Sequence, residues 1–191
     1  MEQLWLAFIP LFVALDAIGL VPIFWTIAQP LPPARRRQAV MDAVLTAFFV
    51  SVGFLLISRS VFSFLGLQLA DIMIAGGAIL IVLCLRDLLL PEERLPALSN
   101  SIGVVPLGVP LLAGPAVLAT MLLVRDQFGW SVTLIALAMN MVVVWLVLGL
   151  AETMHRWLRP EGALVISKIF SLILTAYGVM LIRRGLVAIV A

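Results

Sequence analysis

The chain has 191 residues, of which 64% are hydrophobic and 12% charged, with a mean hydropathy of +1.23. A soluble domain carries about 45–50% apolar and about 25% charged residues, so this composition excludes a water-soluble fold and points to an integral membrane protein. The formal net charge of +2 comes from short basic clusters beside apolar stretches, which is topology information and not the footprint of a nucleic-acid partner.

In chain order, six stretches supply the roughly 20 apolar residues that a spanning helix needs. They run from Leu4 to Gln29, Ala39 to Ser60, Leu67 to Leu89, Ile102 to Val124, Ser131 to Met154 and Leu164 to Ile182. The start, Met1-Glu2-Gln3, lacks the basic region of a secretory signal, so the first stretch reads as an uncleaved span. Short loops are expected at Pro30 to Pro33, Phe64 to Gly66, Asp126 to Trp130 and Pro160 to Gly162. The longest polar connection, Pro91 to Asn100, divides a single transmembrane domain (1–191) into two three-span units, 1–92 and 101–191. Gly19 and Gly114 recur at nearly the same spacing as Gly66 and Gly162, which reads as an internal duplication. An odd number of spans per unit makes the repeat inverted, so the expected fold is all-α with six spans in two inverted triplets.

Basic residues set the orientation. Arg35, Arg36, Arg37, Arg86, Arg94, Arg156, Arg159 and Lys168 fall on one side, and Arg59, Arg125, Arg183 and Arg184 on the other. The positive-inside rule then places both termini outside. Trp5, Trp25, Trp130 and Trp157 lie near span ends, where amphipathic rings favour the headgroup layer, whereas Trp145 sits mid-span.

Two spans are interrupted. The first contains Asp16-Ala17-Ile18-Gly19-Leu20-Val21-Pro22, and the fourth contains Pro106-Leu107-Gly108-Val109-Pro110 followed by Gly114-Pro115. A break frees N–H and C=O groups that hydrocarbon cannot satisfy, so such segments belong beside a protein-lined or water-lined cavity. Breaks at corresponding places of two halves point to a binding site between repeats. Asp16 is an expensive carboxylate within a span, costing at least ~2.5–3.5 kcal/mol on insertion scales unless protonated, paired or hydrated. It reads either as a functional group or as a cap for the freed amides. The proline-rich fourth span reads as a re-entrant or unwound segment, with a kinked helix as the alternative.

Small and polar residues mark inward faces elsewhere. Ser167, Ser171, Thr175 and Gly178 form a stripe on the sixth span, and Ala75, Gly76, Gly77 and Ala78 a patch on the third, both explicable by close helix packing. Asn140, mid-span in the fifth, and Asp42 with Thr46 in the second are candidate lining groups. Cys84 is a lone buried hydrophobe, and Glu152 and Lys168 lie near span ends where they pair or snorkel. His155 is the one histidine, so no His-based metal cluster or catalytic relay is expected, nor is there a phosphate loop for nucleotide. No enzyme activity, metal or cofactor is expected.

These motifs resemble those of the MarC family of bacterial inner-membrane proteins, described as neutral amino acid transporter-like, over essentially the whole chain. The family's Asn-Pro-Ile-Gly-x-x-Pro-x-Phe is similar to Asp16-Ala17-Ile18-Gly19-Leu20-Val21-Pro22-Ile23-Phe24. Its Pro-Leu-x-x-Pro-x-x-x-Gly-Pro matches Pro106, Leu107, Pro110, Gly114 and Pro115, and its Ile-Ala-Gly-Gly matches Ile74-Ala75-Gly76-Gly77. Two departures stand out. Asp16-Ala17 replaces Asn-Pro, and Met73 stands where many members have Arg. The resemblance implies six spans and, for part of the family, transport of small neutral amino acids.

The expectation is therefore a secondary transporter in a bacterial inner membrane. Substrate would meet Asp16, Gly19, Pro22, Pro110, Gly114, Pro115, Asn140 and Ser171, with Asp16 coupling transport to a proton or sodium ion. The alternatives are a passive channel or a non-transporting scaffold. Membrane lipid surrounds the chain, and six spans leave room for a homodimer.

Overall fold

The computed structural model describes residues 2–28, 31–89 and 112–190, which contain helices and short turns and no strand. Helix α1 (Glu2–Leu15) stops where Asp16 enters the left-handed region at φ 46°, and α2 (Leu20–Ala28) resumes after a four-residue turn. Helix α3 (Pro33–Leu65) starts on a proline, whose fixed φ suits a first helical position. It ends at Gly66, φ 68°, whose amide and that of Leu67 both return to the Phe62 carbonyl. Helix α4 (Leu69–Leu89) opens with Asp71 reaching back to the Gln68 amide at 2.8 Å. Helix α5 (Pro115–Gly149) follows an extended Gly114 (φ −78°, ψ 167°) and again begins on proline. Helix α6 covers Ala151–Val190.

The structure changes several boundaries. Helix α3 begins at Pro33 and not at Ala39, because the Arg35-Arg36-Arg37 triplet that falls outside an apolar window is a good helix former and makes its first turns. The loop expected at Asp126 to Trp130 shrinks to one non-helical residue, Gly129 (φ 82°, ψ 175°), so α5 is two helices meeting at a kink. A residue without Cβ allows that reversal. The fifth span, expected to reach Met154, stops at Gly149, and the loop expected at Pro160 to Gly162 is helical within α6. An interior proline removes one hydrogen bond and kinks a helix more readily than it ends one, so local composition overstated that loop.

Four helices contain stretches long and apolar enough to cross a membrane: Pro33–Ser58, Leu69–Arg86, Pro115–Gly149 and Lys168–Val190. These four are the candidates that the described residues hold, beside the six expected spans. The first span is divided between α1 and α2, each too short alone, and α5 carries the end of the fourth and the fifth as two helices meeting at Gly129. The connection Pro91 to Asn100, with Pro106, Leu107 and Pro110, lies outside the described residues.

Packing separates an inner core from a lipid face. Between 22% and 39% of each spanning stretch is buried, and the remainder presents side chains such as Phe49, Leu56, Val82, Ile135, Val142, Leu172 and Val179. An apolar surface of that extent requires lipid as its solvent. Helix α1 packs chiefly on α5, and α4 chiefly on α6. The α4–α6 seam is built from glycines: a Cβ on Gly77 would lie 2.5 Å from the Gly178 carbonyl oxygen, and one on Gly178 would lie 2.9 Å from that of Gly77. Two turns along, Gly185 faces Ile74 and the Ala70 carbonyl, so the register falls on α4 as it rises on α6 and the helices run antiparallel. With no hydrophobic drive between helices in lipid, this close backbone approach is what holds them.

Gly77→Ala therefore forces the seam apart and destabilises the purified protein by about 1–3 kcal/mol. Gly53→Ala, with nothing within 4 Å of its added Cβ, leaves stability unchanged or raises it by up to ~1 kcal/mol. Thermal unfolding in detergent of the two variants beside the parent checks both; equal midpoints for Gly77→Ala and parent would remove the seam from the account.

Candidate functional site

The first break is organised by Asp16. Its positive φ is a conformation that Asp and Asn tolerate better than other side chains. The turn brings its Oδ1 to 3.1 Å from the Gly19 amide, which donates to it, while the Asp16 carbonyl accepts from Leu20 at 3.0 Å. One half-buried residue thus closes α1 and caps α2. Gly19 is buried, and a Cβ there would lie 2.7 Å from the Asp16 carboxylate carbon, so a side chain would expel the cap. Pro22 is the third residue of α2.

The second break has a different solution. Leu112, Ala113 and Gly114 are buried, Gly114 is extended, and its carbonyl accepts from the Leu118 amide at 3.1 Å. Pro115 has no N–H to satisfy. The first-turn amides of Ala116 and Val117 have no intrahelical acceptor, no side chain among the described residues caps this end, and both residues are buried. Gly76 of α4 presses on this turn, its would-be Cβ 3.3 Å from the Pro115 carbonyl oxygen and 2.9 Å from the Ala119 methyl. Just beyond, Thr120 donates to the Ala116 carbonyl at 2.7 Å and shares a hydrogen bond with Tyr177 of α6 at 3.1 Å.

Residues flanking both breaks enter one buried cluster: Leu15, Ala17, Leu20 and Val21 from the first, Leu112, Ala113 and Val117 from the second. Asn140 lies on the α5 face that contributes Ala136, Leu137, Met141 and Val144 to that cluster. Its Nδ2 donates to the Phe8 carbonyl of α1 at 3.2 Å and to Ala136 at 2.9 Å, while Oδ1, in a residue only 1% exposed, accepts no hydrogen bond among the described residues. The Ser51 hydroxyl of α3 is likewise buried and unpartnered. Ser171 is buried on α6, its carbonyl engaged by Thr175 Oγ1 at 2.8 Å. Of the expected site residues, then, the elements carrying Asp16, Gly19, Gly114, Pro115 and Asn140 converge on one core, Ser171 lies on a different helix, α6, and Pro110 is outside the described residues. Gly76, Gly77 and Gly178 serve packing. Ser51 was legible only as another polar residue in an apolar run.

A family model described as MarC family integral membrane protein matches residues 1–190. The chain belongs to the MarC family. Among the relatives of this MarC-family chain, the membrane protein MJ0972 of Methanocaldococcus jannaschii is 29% identical over 196 residues, covering 95% of this chain and 86% of its own. The inner membrane protein YhgN of Escherichia coli is 28% identical over 196 residues, covering 97% of each. A membrane protein of Buchnera aphidicola is 33% identical over 120 residues, covering 62% and 61%. No solved structure matches.

The Asp16 turn gives a clean stability contrast. Asp16→Ala loses the cap and places a Cβ-bearing residue without a polar tip at positive φ, lowering stability by about 1–3 kcal/mol, whereas Asp16→Asn stays within about 0.5 kcal/mol of the parent. Unfolding midpoints of the two purified variants check this; an Asn variant as impaired as the Ala variant would show that charge, not capping, organises the turn.

Proposed function

We propose that this MarC-family protein is a secondary transporter of small neutral solutes, amino acids foremost, with its site where the two helix breaks meet. The observation that carries the reading is the start of α5 at Gly114-Pro115, which no described side chain caps and whose neighbours share one buried apolar cluster with those of the Asp16–Gly19 turn. Helix N-termini of interrupted spans attract anionic groups through unsatisfied amides and the helix dipole. The Ala116 and Val117 amides would take a substrate carboxylate. Asn140 Oδ1 supplies an acceptor for an ammonium, and Asp16 either pairs with that ammonium or carries the coupling proton or sodium.

In this reading the chain forms six spans in two inverted triplets, 1–92 and 101–191, with both termini outside a bacterial inner membrane. The antiparallel course of α4 and α6 supports it, since the third and sixth spans of inverted triplets run in opposite directions. The inner-membrane name of the E. coli relative agrees with the location.

Purified protein in liposomes preloaded with unlabelled neutral amino acid accumulates labelled amino acid by counterflow, which a passive channel cannot do. Asp16→Asn, which preserves the cap, keeps counterflow and loses its dependence on pH or sodium. Absence of counterflow across a panel of neutral amino acids sinks the transporter reading; unaltered coupling in Asp16→Asn sinks only the coupling role of Asp16.

A further inference from the structure

A cavity of about 310 Å³ lies away from the breaks, at the end of the bundle where α2, the start of α3, the end of α5 and the start of α6 meet. Its wall is half polar and half apolar: Phe24, Val40 and Leu148 on one side, Arg36, Arg37, Glu152 and Thr153 on the other, with Trp25 between. Arg36 is fixed from several directions. Its Nε donates to the Ala28 carbonyl at 3.1 Å and to the Leu31 carbonyl at 2.8 Å, its Nη1 pairs with Glu152 Oε2 at 3.3 Å, and its guanidinium lies 5.0 Å from the Trp25 ring centroid. The Arg36–Glu152 pair neutralises itself. Arg37 makes no hydrogen bond or ion pair with any described residue, so among the described residues the cavity keeps one positive charge without a counter-charge, beside a hydroxyl and an apolar wall. The depth is interfacial, because the apolar stretch of α3 begins just after the Arg35-Arg36-Arg37 triplet and a tryptophan marks the headgroup layer.

We propose that this cavity binds the headgroup of an anionic membrane phospholipid, its phosphate on Arg37 with Thr153 as second donor and the start of its acyl chains against Phe24, Val40 and Leu148. A phosphate diester supplies the missing charge, and its two-sided character matches the two-sided wall. A soluble phosphate shares the headgroup's charge but cannot use the apolar wall. The site stands whether or not the breaks bind a transported solute, since it uses none of their residues.

The test is native mass spectrometry of the purified full-length protein titrated with phosphatidylglycerol, with phosphatidylcholine, and with inorganic phosphate. One phosphatidylglycerol is retained per chain at saturation, and the other two are not. Arg37→Ala weakens phosphatidylglycerol retention by at least about fivefold, while Arg35→Ala, an exposed arginine of the same triplet that does not line the cavity, leaves it within about twofold. Arg37 is exposed, so its removal leaves folding intact, which the unfolding midpoint verifies. Equal retention of phosphatidylcholine, equal loss in the two arginine variants, or retention of phosphate in place of lipid would each overturn the proposal.

Discussion

A peptide amide inside a bilayer has no water to turn to, and each interruption of a spanning helix must therefore find its partners within the protein. The two breaks meet this constraint by opposite means. At Asp16–Gly19 the freed donor receives an acceptor, the Asp16 carboxylate, and the absence of a Cβ on Gly19 is what lets the carboxylate come close. At Gly114-Pro115 the first position of the helix has no donor at all, and no side chain among the described residues caps the amides that follow. One break carries its own side-chain cap, and the other begins on a residue with no amide to satisfy.

The third-span motif belongs to the same construction. Gly76 and Gly77 are adjacent in sequence but face different neighbours, Gly76 touching the Pro115 turn and Ala119, Gly77 touching Gly178. A larger residue at the first would push α4 off the Pro115 turn, and at the second would open the α4–α6 seam. Ile-Ala-Gly-Gly is thus a spacer that fixes α5 and α6 against one helix. Thr120 and Tyr177 tie α5 to α6 beside the same turn, so the start of α5 is held from two sides.

What could be read from the sequence followed from residues with backbone consequences. Asp16, Gly19, Gly114 and Pro115 announce interruptions because Gly and Pro alter φ or remove a donor wherever they stand, and Gly66 ends α3 for the same reason. The start of α3 and the continuity of α6 were not legible, since an apolar window reports where lipid contact ends and not where a helix ends. Arg35 to Arg37 made that difference at one place, and the Pro160 to Gly162 segment at another. Asn140 could be singled out as a polar group deep in a span, but not its bond to Phe8, which depends on how α1 meets α5. Arg36 was legible only as a positive charge for topology. Its work, holding the end of α2 by the Ala28 and Leu31 carbonyls while reaching Glu152 across the bundle, is set by three segments distant in sequence.

Asp16 is where backbone demand and charge separate. Asn caps a helix as well as Asp and tolerates the same left-handed φ, so the turn itself does not require a carboxylate. An ionised carboxylate in a span costs at least ~2.5–3.5 kcal/mol more than an apolar residue on insertion scales, and a single amide hydrogen bond to a charged group returns only ~1.5–3 kcal/mol. The Gly19 bond by itself offsets most of that cost and favours the acid over the amide by little. Asp16 follows a 14-residue α1, about 21 Å along the span, well inside a hydrocarbon layer of about 30 Å, and it remains half-buried and not sealed. A carboxylate at that depth with partial access and a cap that an amide could replace is placed where its charge, and not its hydrogen bond, distinguishes it from the asparagine found in the family pattern it resembles.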